Sequence, residues 1–161
     1  MALVDMFLKL DGVEGESKDA SGKGGWIQIS GFRIGAVSPR DAFTNQAKGA
    51  VQMSHLTIRA KVDKSTPKLF TKIKTNEKIP TAVLSCRKAG KEQFEYFSIT
   101  LSEALVVRVQ AGSLESMGSD VVPECEFDLA YGKLEMKSME QTSMGPTSGP
   151  VVFSFNLMSN A

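Results

Sequence analysis

Few residues of this sequence carry the chemistry that a catalytic centre needs. His55 is the only histidine, so neither a second imidazole nor a neighbouring acid is at hand to hold a metal ion or to activate a nucleophile. No serine stands in the G-x-S-x-G pattern that places a serine nucleophile on a sharp turn. The sequence therefore predicts no catalytic residue, no metal site and no cofactor, and it favours a structural or surface role for His55.

The glycine-rich segment of residues 11–25 gathers acidic side chains without the spacing of a known binding loop. Its five glycines match neither the dinucleotide fingerprint nor the P-loop pattern. Glu14, Glu16 and Asp19 share the segment with two lysines, which suits a solvated surface better than a metal site. We therefore expect residues 11–25 to form a solvated connection.

Residues 94–110 form the longest run that is typical of an extended strand. Successive side chains of a strand point to opposite faces. One parity is apolar and consists of Phe97, Ile99, Leu101, Leu105, Val107 and Val109, interrupted only by Glu103. The other parity is largely polar and includes Ser98, Thr100, Ser102 and Arg108. A charge on a dry face must be paired or lie at an edge or subunit boundary, so Glu103 is a candidate subunit contact.

Composition is that of an ordinary soluble globular domain spanning residues 1–161, with 42% hydrophobic and 23% charged residues. A net charge of +1 provides no electrostatic footprint for nucleic acid. No apolar run approaches the ~20 residues that cross a bilayer. The N-terminus lacks a basic region and Asp5 interrupts its apolar run, so we expect no cleaved signal peptide. Cys86 and Cys125 lie in strand-like runs, and we expect buried free thiols rather than a disulfide.

Alternating patterns predict seven or eight strands, at residues 3–10, 26–34, 51–62, 79–87, 94–110, 121–137 and 151–158. Phase changes at Ser30–Gly31, Ser54–His55 and Gly132 indicate bulges or bends. Residues 88–91 predict the turn of a hairpin. In the last strand, one side carries Val151, Phe153, Phe155 and Leu157. An all-β chain with many turns is typical of a sandwich or a barrel, and closing the sheet removes its exposed edges.

One helix is predicted, over residues 63–78. Ser65 or Thr66 suits the capping position, and Pro67 suits the first helical position. A short apolar stripe at helical spacing consists of Leu69, Phe70 and Ile73.

The segment of residues 35–50 has no clear period, which is unusual for so long a connection in a compact domain. Such loops are usually functional or disordered. Phe43, at its centre, is the apolar residue that we expect to dock on another surface.

Several motifs in order resemble the haemolysin-coregulated protein (Hcp) family, the tube proteins of the bacterial type VI secretion system. The N-terminal signature is VDMFLKLDGVEGESKD, residues 4–19. It is followed by DKSTPKLF at 63–70, RKAG at 87–90, EYFSITLSEALV at 95–106, EFDLAYGKLEM at 126–136 and GPVVFSFN at 149–156. The resemblance covers nearly the whole chain.

The resemblance implies a mainly β fold, a closed barrel of two antiparallel sheets with one flanking α-helix and a long protruding loop. It further implies homohexameric rings that stack into a tube, driven by a contracting sheath and tipped by a spike. Small effector proteins would travel in the lumen. The chain would be cytoplasmic before firing and then secreted without a cleaved signal peptide, with neither nucleic-acid binding nor membrane insertion.

The resemblance also suggests which residues act. It gives the long loop the task of ring or stacking contact, through Ser38, Pro39, Arg40, Asp41, Phe43, Asn45 and Lys48. It places Arg33 on the face that lines the lumen. The polar parity of residues 94–110 would face either the channel or a neighbouring subunit. The alternatives are a monomeric barrel that binds a small ligand inside and a secreted enzyme.

Overall fold

The computed structural model describes residues 4–19, 23–88, 94–114, 122–140 and 149–157. Within these residues the chain forms a single helix, α1 (Ser65–Thr75). The strands are β1 (Val4–Leu10), β2 (Ile27–Arg33), β3 (Ala36–Val37), β4 (Gln52–Met53), β5 (Leu56–Lys61), β6 (Ile79–Lys88), β7 (Phe94–Gly112), β8 (Glu124–Ala130), β9 (Lys133–Ser138) and β10 (Val151–Asn156).

Six strands close into a barrel in the order β7-β6-β1-β2-β5-β8, and β8 returns to β7. All these pairings are antiparallel. β9 pairs with the first half of β7, and β10 pairs with β9, so the sheet continues past the barrel. The short β3–β4 hairpin stands apart from this sheet. The predicted mainly β barrel with one helix and a protruding loop is confirmed.

The barrel interior is filled with apolar side chains. Fully buried examples from its six strands are Leu8, Ile27, Ile58, Leu84, Ile99 and Leu129. Each such side chain contributes roughly 1.5–3 kcal/mol when it leaves water. Cys86 and Cys125 are buried free thiols, as predicted, and burial raises the pKa of Cys86 to about 11.

The predicted parity of β7 is wrong beyond Ser102. Glu103 has a left-handed backbone with φ +53°, so the strand changes phase there. Ala104 and Val106 are buried and Val107 is exposed, as alternation from the new phase requires, and a second bulge between Val106 and Arg108 leaves Arg108 outside as well. Glu103 is therefore exposed and does not lie on a dry face. The two bulges let β7 pair with β6 and β9 over its first half and with β8 over its second.

The other predicted irregularities are confirmed. The polar residues of β7 are divided between two pairing partners, β9 and β8. The register shifts between Ile29 and Gly31 of β2, Ser54–His55 separates β4 from β5, and Gly132 separates β8 from β9. Ser98, Thr100 and Ser102 lie where β7 pairs with β9, whereas Arg108 lies where it pairs with β8. β6 and β7 form the predicted hairpin, but its turn includes residues 89–91, which lie outside the described residues.

The helix begins through Asp63 rather than through a Ser65 or Thr66 cap. The Asp63 carboxylate accepts the backbone N–H of Ser65 at 2.8 Å, and the Thr66 hydroxyl accepts the N–H of Asp63 at 3.3 Å. Pro67 is the third helical residue, not the first. Of the predicted apolar stripe, Leu69 is buried, Ile73 is partly buried and Phe70 is exposed.

The prediction of a solvated connection at residues 11–25 holds for exposed residues such as Glu14 and Glu16, but it missed that the described part also packs on the barrel. The N–H of Ser17 bonds to the carbonyl of Trp26 at 3.0 Å, and Gly15 and Gly25 are linked at 2.9 Å. Val13, Gly15 and Ser17 are buried. This segment folds back along the start of β2 as part of the packed structure.

Candidate assembly and channel surfaces

Residues 35–54 form an ordered hairpin that projects from the barrel. β3 and β4 pair at its base, and a bridge joins Arg40 to Ala47 further out. The base is fastened to the barrel through Ser54, whose hydroxyl accepts the N–H of Gly35 and whose carbonyl accepts the Tyr131 hydroxyl, each at 2.8 Å. We name residues 35–54 the projecting hairpin.

The tip of the projecting hairpin is a turn built by Asp41. Its carboxylate Oδ1 accepts the N–H groups of Phe43 and Thr44, both at 2.9 Å. These N–H groups hold the pKa of Asp41 below its usual value, because they stabilise the charged form. Its backbone also bonds to Asn45 and Gln46 at 3.0 and 2.9 Å.

Phe43 is the most conspicuous residue of this tip, because its side chain is 98% exposed. All seven loop residues named from the sequence lie on the hairpin: Ser38, Pro39, Arg40, Asp41, Phe43, Asn45 and Lys48. A hydrogen-bonded turn thus presents a phenyl ring to solvent.

A second apolar surface lies on β10, which the sequence pattern did not indicate. Leu101, Leu134 and Phe155 lie side by side across β7, β9 and β10, and all three are buried. Phe153 follows Phe155 on the same face but is 48% exposed, because the sheet has passed beyond the barrel. Val151 is 75% exposed. Of the apolar residues on this side of the strand, only Phe155 is buried.

The outer face of β2, β5, β8 and the second half of β7 forms a charged wall. One row across these strands runs Arg33, Thr57, Asp128, Arg108. The adjacent row runs Gly31, Arg59, Glu126, Gln110. These residues alternate along their strands with core residues, so their side chains lie on the outside of the barrel.

Ion pairs connect the two rows of the charged wall. Arg108 bonds to Asp128 at 2.9 Å and to Glu126 at 2.6 Å, and Arg59 reaches Glu126 at 3.2 Å. The Arg108 guanidinium therefore lowers the pKa of both carboxyls, and they raise its own pKa. Arg33 is exposed at the β2 side of this wall.

The sequence profile of the family described as "Type VI secretion system effector, Hcp" matches residues 7–137. Protein hcp1 of Pseudomonas aeruginosa is 34% identical to this chain, over 98% of this chain and 97% of that protein. The chain belongs to the Hcp family. This membership indicates a tube protein of the type VI secretion system, and the Hcp family is one of structural tube proteins rather than enzymes.

Solved Hcp-family structures share this fold. A type six secretion system protein superposes with a TM-score of 0.85 at 25% identity, covering 98% of both chains. Hcp1 from Salmonella typhimurium superposes with a TM-score of 0.78 at 22% identity, covering 99% of both chains. Relatives in the Hcp family are type VI secreted proteins. No helix within the described ranges is long and apolar enough to span a membrane.

The remaining sequence-derived candidates do not assemble into a reactive centre in this Hcp-family chain. Glu16 accepts the N–H of Lys64 at 3.2 Å, while Asp19 pairs with Arg87 at 3.0 Å. Over the residues that the structure describes, no group of three histidine, cysteine or acidic side chains could hold a metal ion. His55 is exposed and follows Ser54, the residue that fastens the base of the projecting hairpin to the barrel.

Glu103 lies apart from both the projecting hairpin and the charged wall. Its carboxylate lies close to Gly132, where an added Cβ would come within 3.0 Å of Oε2. The N–H of Gly132 donates to the carbonyl of Ser102, and the carbonyl of Gly132 accepts the N–H of Leu157. The left-handed Glu103 and the glycine are thus parts of one junction between β7, the β8–β9 turn and the end of β10.

Proposed function

We propose that this chain is the structural subunit of the inner tube of a type VI secretion system. In this proposal six copies form a ring, rings stack into a tube, and the tube carries small effector proteins in its lumen. A sheath drives the tube and a spike tips it. The subunit waits in the cytoplasm and leaves the cell through the same system.

The exposed Phe43 on its ordered turn is the observation that carries this proposal. A phenyl ring that is 98% exposed gains nothing from folding of the single chain, yet Asp41 fixes its position through two 2.9 Å hydrogen bonds. A preordered apolar group loses little conformational entropy when it binds, so the hairpin is well prepared for a contact between copies.

The strand β10 supports the same proposal independently. It is the last strand of the sheet, no further described strand pairs with its outer edge, and its six residues carry no charge. Free edges and exposed apolar rows favour association, and natural proteins normally protect them. A ring of identical subunits would cover this edge.

Exposure to solvent supports the proposed roles of the two other candidate residues. Arg33 lies on the charged wall and would face the lumen, and Glu103 is exposed and would contact a neighbouring subunit. The alternative of a small ligand inside a monomeric barrel is disfavoured, because fully buried apolar side chains such as Leu8, Ile27 and Leu84 occupy the interior.

The test is a Phe43→Asp variant compared with wild type by native mass spectrometry and negative-stain microscopy. We expect wild-type rings and stacks, and a clear loss of assembly in the variant, because a buried carboxylate at a contact is costly. The free energy of unfolding of the dilute monomer should change by less than about 0.5 kcal/mol, since the side chain is exposed.

The matched control is Phe43→Leu, which keeps an apolar group at the same place and should retain assembly. Wild-type protein that stays a monomer at high concentration, with no rings, would contradict the proposed function. Equal assembly of Phe43→Asp and wild type would instead remove the projecting hairpin from the contact.

A further inference from the structure

The charged wall carries three arginines, of which two, Arg59 and Arg108, are paired with acids. Arg108 is surrounded by Asp128 and Glu126, and Glu126 is in turn shared with Arg59. Both oxygens of Asp128 are occupied, one by Arg108 Nε and the other by the Thr57 hydroxyl at 2.8 Å. The wall's two central acids are thus saturated by groups of the wall itself.

Arg33 stands outside this pairing. Thr57 is the residue opposite it on β5, and the Thr57 hydroxyl is directed to Asp128. Within the part of the chain that the structure describes, Arg33 makes no ion pair, whereas Arg59, Arg87 and Arg108 each pair with an acid. An arginine keeps its charge at any physiological pH, so Arg33 offers a permanent, unmatched cation.

A place for an anion lies over Gly31. This glycine is opposite Arg59 on β5 and two residues from Arg33 on its own strand. An added Cβ there would meet nothing within 4 Å, and the position opens into a shallow cleft of about 220 Å³. Residues directly opposite on neighbouring strands have Cβ atoms about 5 Å apart, so a carboxylate over Gly31 is within reach of both arginines.

We propose that the cleft over Gly31 is a carboxylate-binding site, in which Arg33 and Arg59 receive an acidic side chain from a passenger protein. This inference rests on the proposed function, since it places the charged wall on the lumen of the tube. Arginine is the side chain best suited to the task, because its planar fork matches a carboxylate.

The shape of the site favours a carboxylate carried on a protein chain over a free small anion. The cleft is open and its walls are exposed side chains, so a single ion would remain hydrated and weakly held. An acidic segment, in contrast, meets the same site once in every subunit of a ring. Repetition raises the effective concentration of each further contact, so weak single sites become a useful surface.

The experiment measures binding of labelled peptides to the assembled protein by fluorescence anisotropy, at low and at high salt. The probes are a peptide of alternating Glu and Ser and a matched peptide of alternating Gln and Ser. We expect the acidic peptide to bind at least about tenfold more tightly at low salt, and the preference to shrink at high salt as exposed charges are screened.

Two variants remove the site in different ways. Arg33→Gln removes the unmatched cation, and Gly31→Glu fills the cleft with a carboxylate from the chain itself. Each should abolish the preference for the acidic peptide. The matched control is Lys68→Gln, which removes an exposed cation of α1 and should leave the preference unchanged.

Negative-stain images of the same samples separate this inference from the proposed function. Rings that bind both peptides equally would overturn the carboxylate site while the tube proposal stands. Protein without rings would contradict the tube proposal, and its monomers should then still show a weaker preference that Arg33→Gln removes. A monomer without that preference, or a preference that survives both variants, also overturns the site.

Discussion

Two long connections of this barrel, residues 11–26 and the projecting hairpin, differ in whether they pack on the core or extend away from it. Both contain many polar residues, with five glycines in residues 11–26 and two in the projecting hairpin. The described part of residues 11–26 packs onto the barrel, while the projecting hairpin extends away from it. The difference comes from where each segment finds partners for its polar groups.

Residues 11–26 are held by partners that are distant in sequence. Asp19 pairs with Arg87 of β6 at 3.0 Å, and the Arg87 side chain is 4% exposed and lies over the ring of Phe7 at 4.7 Å. Lys23 lies 4.1 Å above the ring of Trp26 and donates its backbone N–H to the Asp19 carboxylate. Residues 11–26 therefore cover the guanidinium group of Arg87, which β6 places beneath them.

The tip of the projecting hairpin satisfies its polar groups locally. Asp41 accepts hydrogen bonds from residues two and three positions further on, and its backbone closes the same turn. Such a turn is ordered without any contact to the barrel. A segment with distant partners contributes to the stability of the fold, whereas a segment with local partners is free to serve assembly.

Asp19→Asn tests the first half of this comparison and should have the largest effect. The change removes the carboxylate from a nearly buried arginine, so we expect the free energy of unfolding to fall by about 3 kcal/mol. Chemical denaturation measures this loss. Fluorescence of Trp26, the only tryptophan, reports whether residues 11–26 leave the barrel before it unfolds.

The control for this change is the double variant Asp19→Val with Arg87→Leu, which removes both charges together. It should recover part of the lost stability, because no buried charge is left without its carboxylate. An Asp19→Asn protein as stable as wild type would show that the pair is not what holds residues 11–26.

Gly15→Ala should have the next largest effect. An added Cβ would lie 2.6 Å from the Cα of Ile27 and from the carbonyl oxygen of Trp26, so the backbone must move apart. We expect a loss of about 2 kcal/mol, as for other overpacked sites, measured by denaturation. Gly31→Ala is the matched control, since its Cβ would meet nothing, and an equal loss there would contradict the steric explanation.

Much of this fold could be predicted from periodicity, because the strand interiors obey it. The alternation of Cys125, Phe127 and Leu129 is that of a half-buried strand, and all three are buried. The bulge near Gly31 and the break at Gly132 could be predicted because the phase of the apolar residues changes there. The family resemblance then added the closed barrel, which no single strand pattern specifies.

The features that the sequence did not predict depend on contacts between residues that are distant in the chain. Nothing in the sequence around Glu103 shows that its backbone is left-handed, because apolar residues follow it at both parities. Asp19 pairs with Arg87, which lies sixty-eight residues further along the chain. The sequence of residues 11–25 by itself therefore indicates a solvated loop. The cleft over Gly31 exists only once β2, β5 and β8 are in register.

Asp41→Ala should have the smallest effect on the fold and a specific effect on the projecting hairpin. We expect an unchanged midpoint of global unfolding, with faster hydrogen exchange at the N–H groups of Phe43 and Thr44, measured by NMR. Lowering the pH should imitate the variant. The pKa of Asp41 is below its ordinary value of 3.8, so the turn is fully held above that pH and loosens as the pH falls through the lowered pKa.

The ratio of intrinsic to observed exchange rate at these two N–H groups should therefore fall in acid for the wild-type protein and be low at every pH for Asp41→Ala. Lys48→Gln is the control, since it changes an exposed side chain of the hairpin, retains the hydrogen bonds to the Asp41 carboxylate and should behave as wild type. Slow exchange in Asp41→Ala would mean that backbone bonds alone fix the tip. Phe43 would then be positioned by the hairpin as a whole, and the contrast with residues 11–26 would rest on the backbone pairing of the hairpin rather than on one local turn.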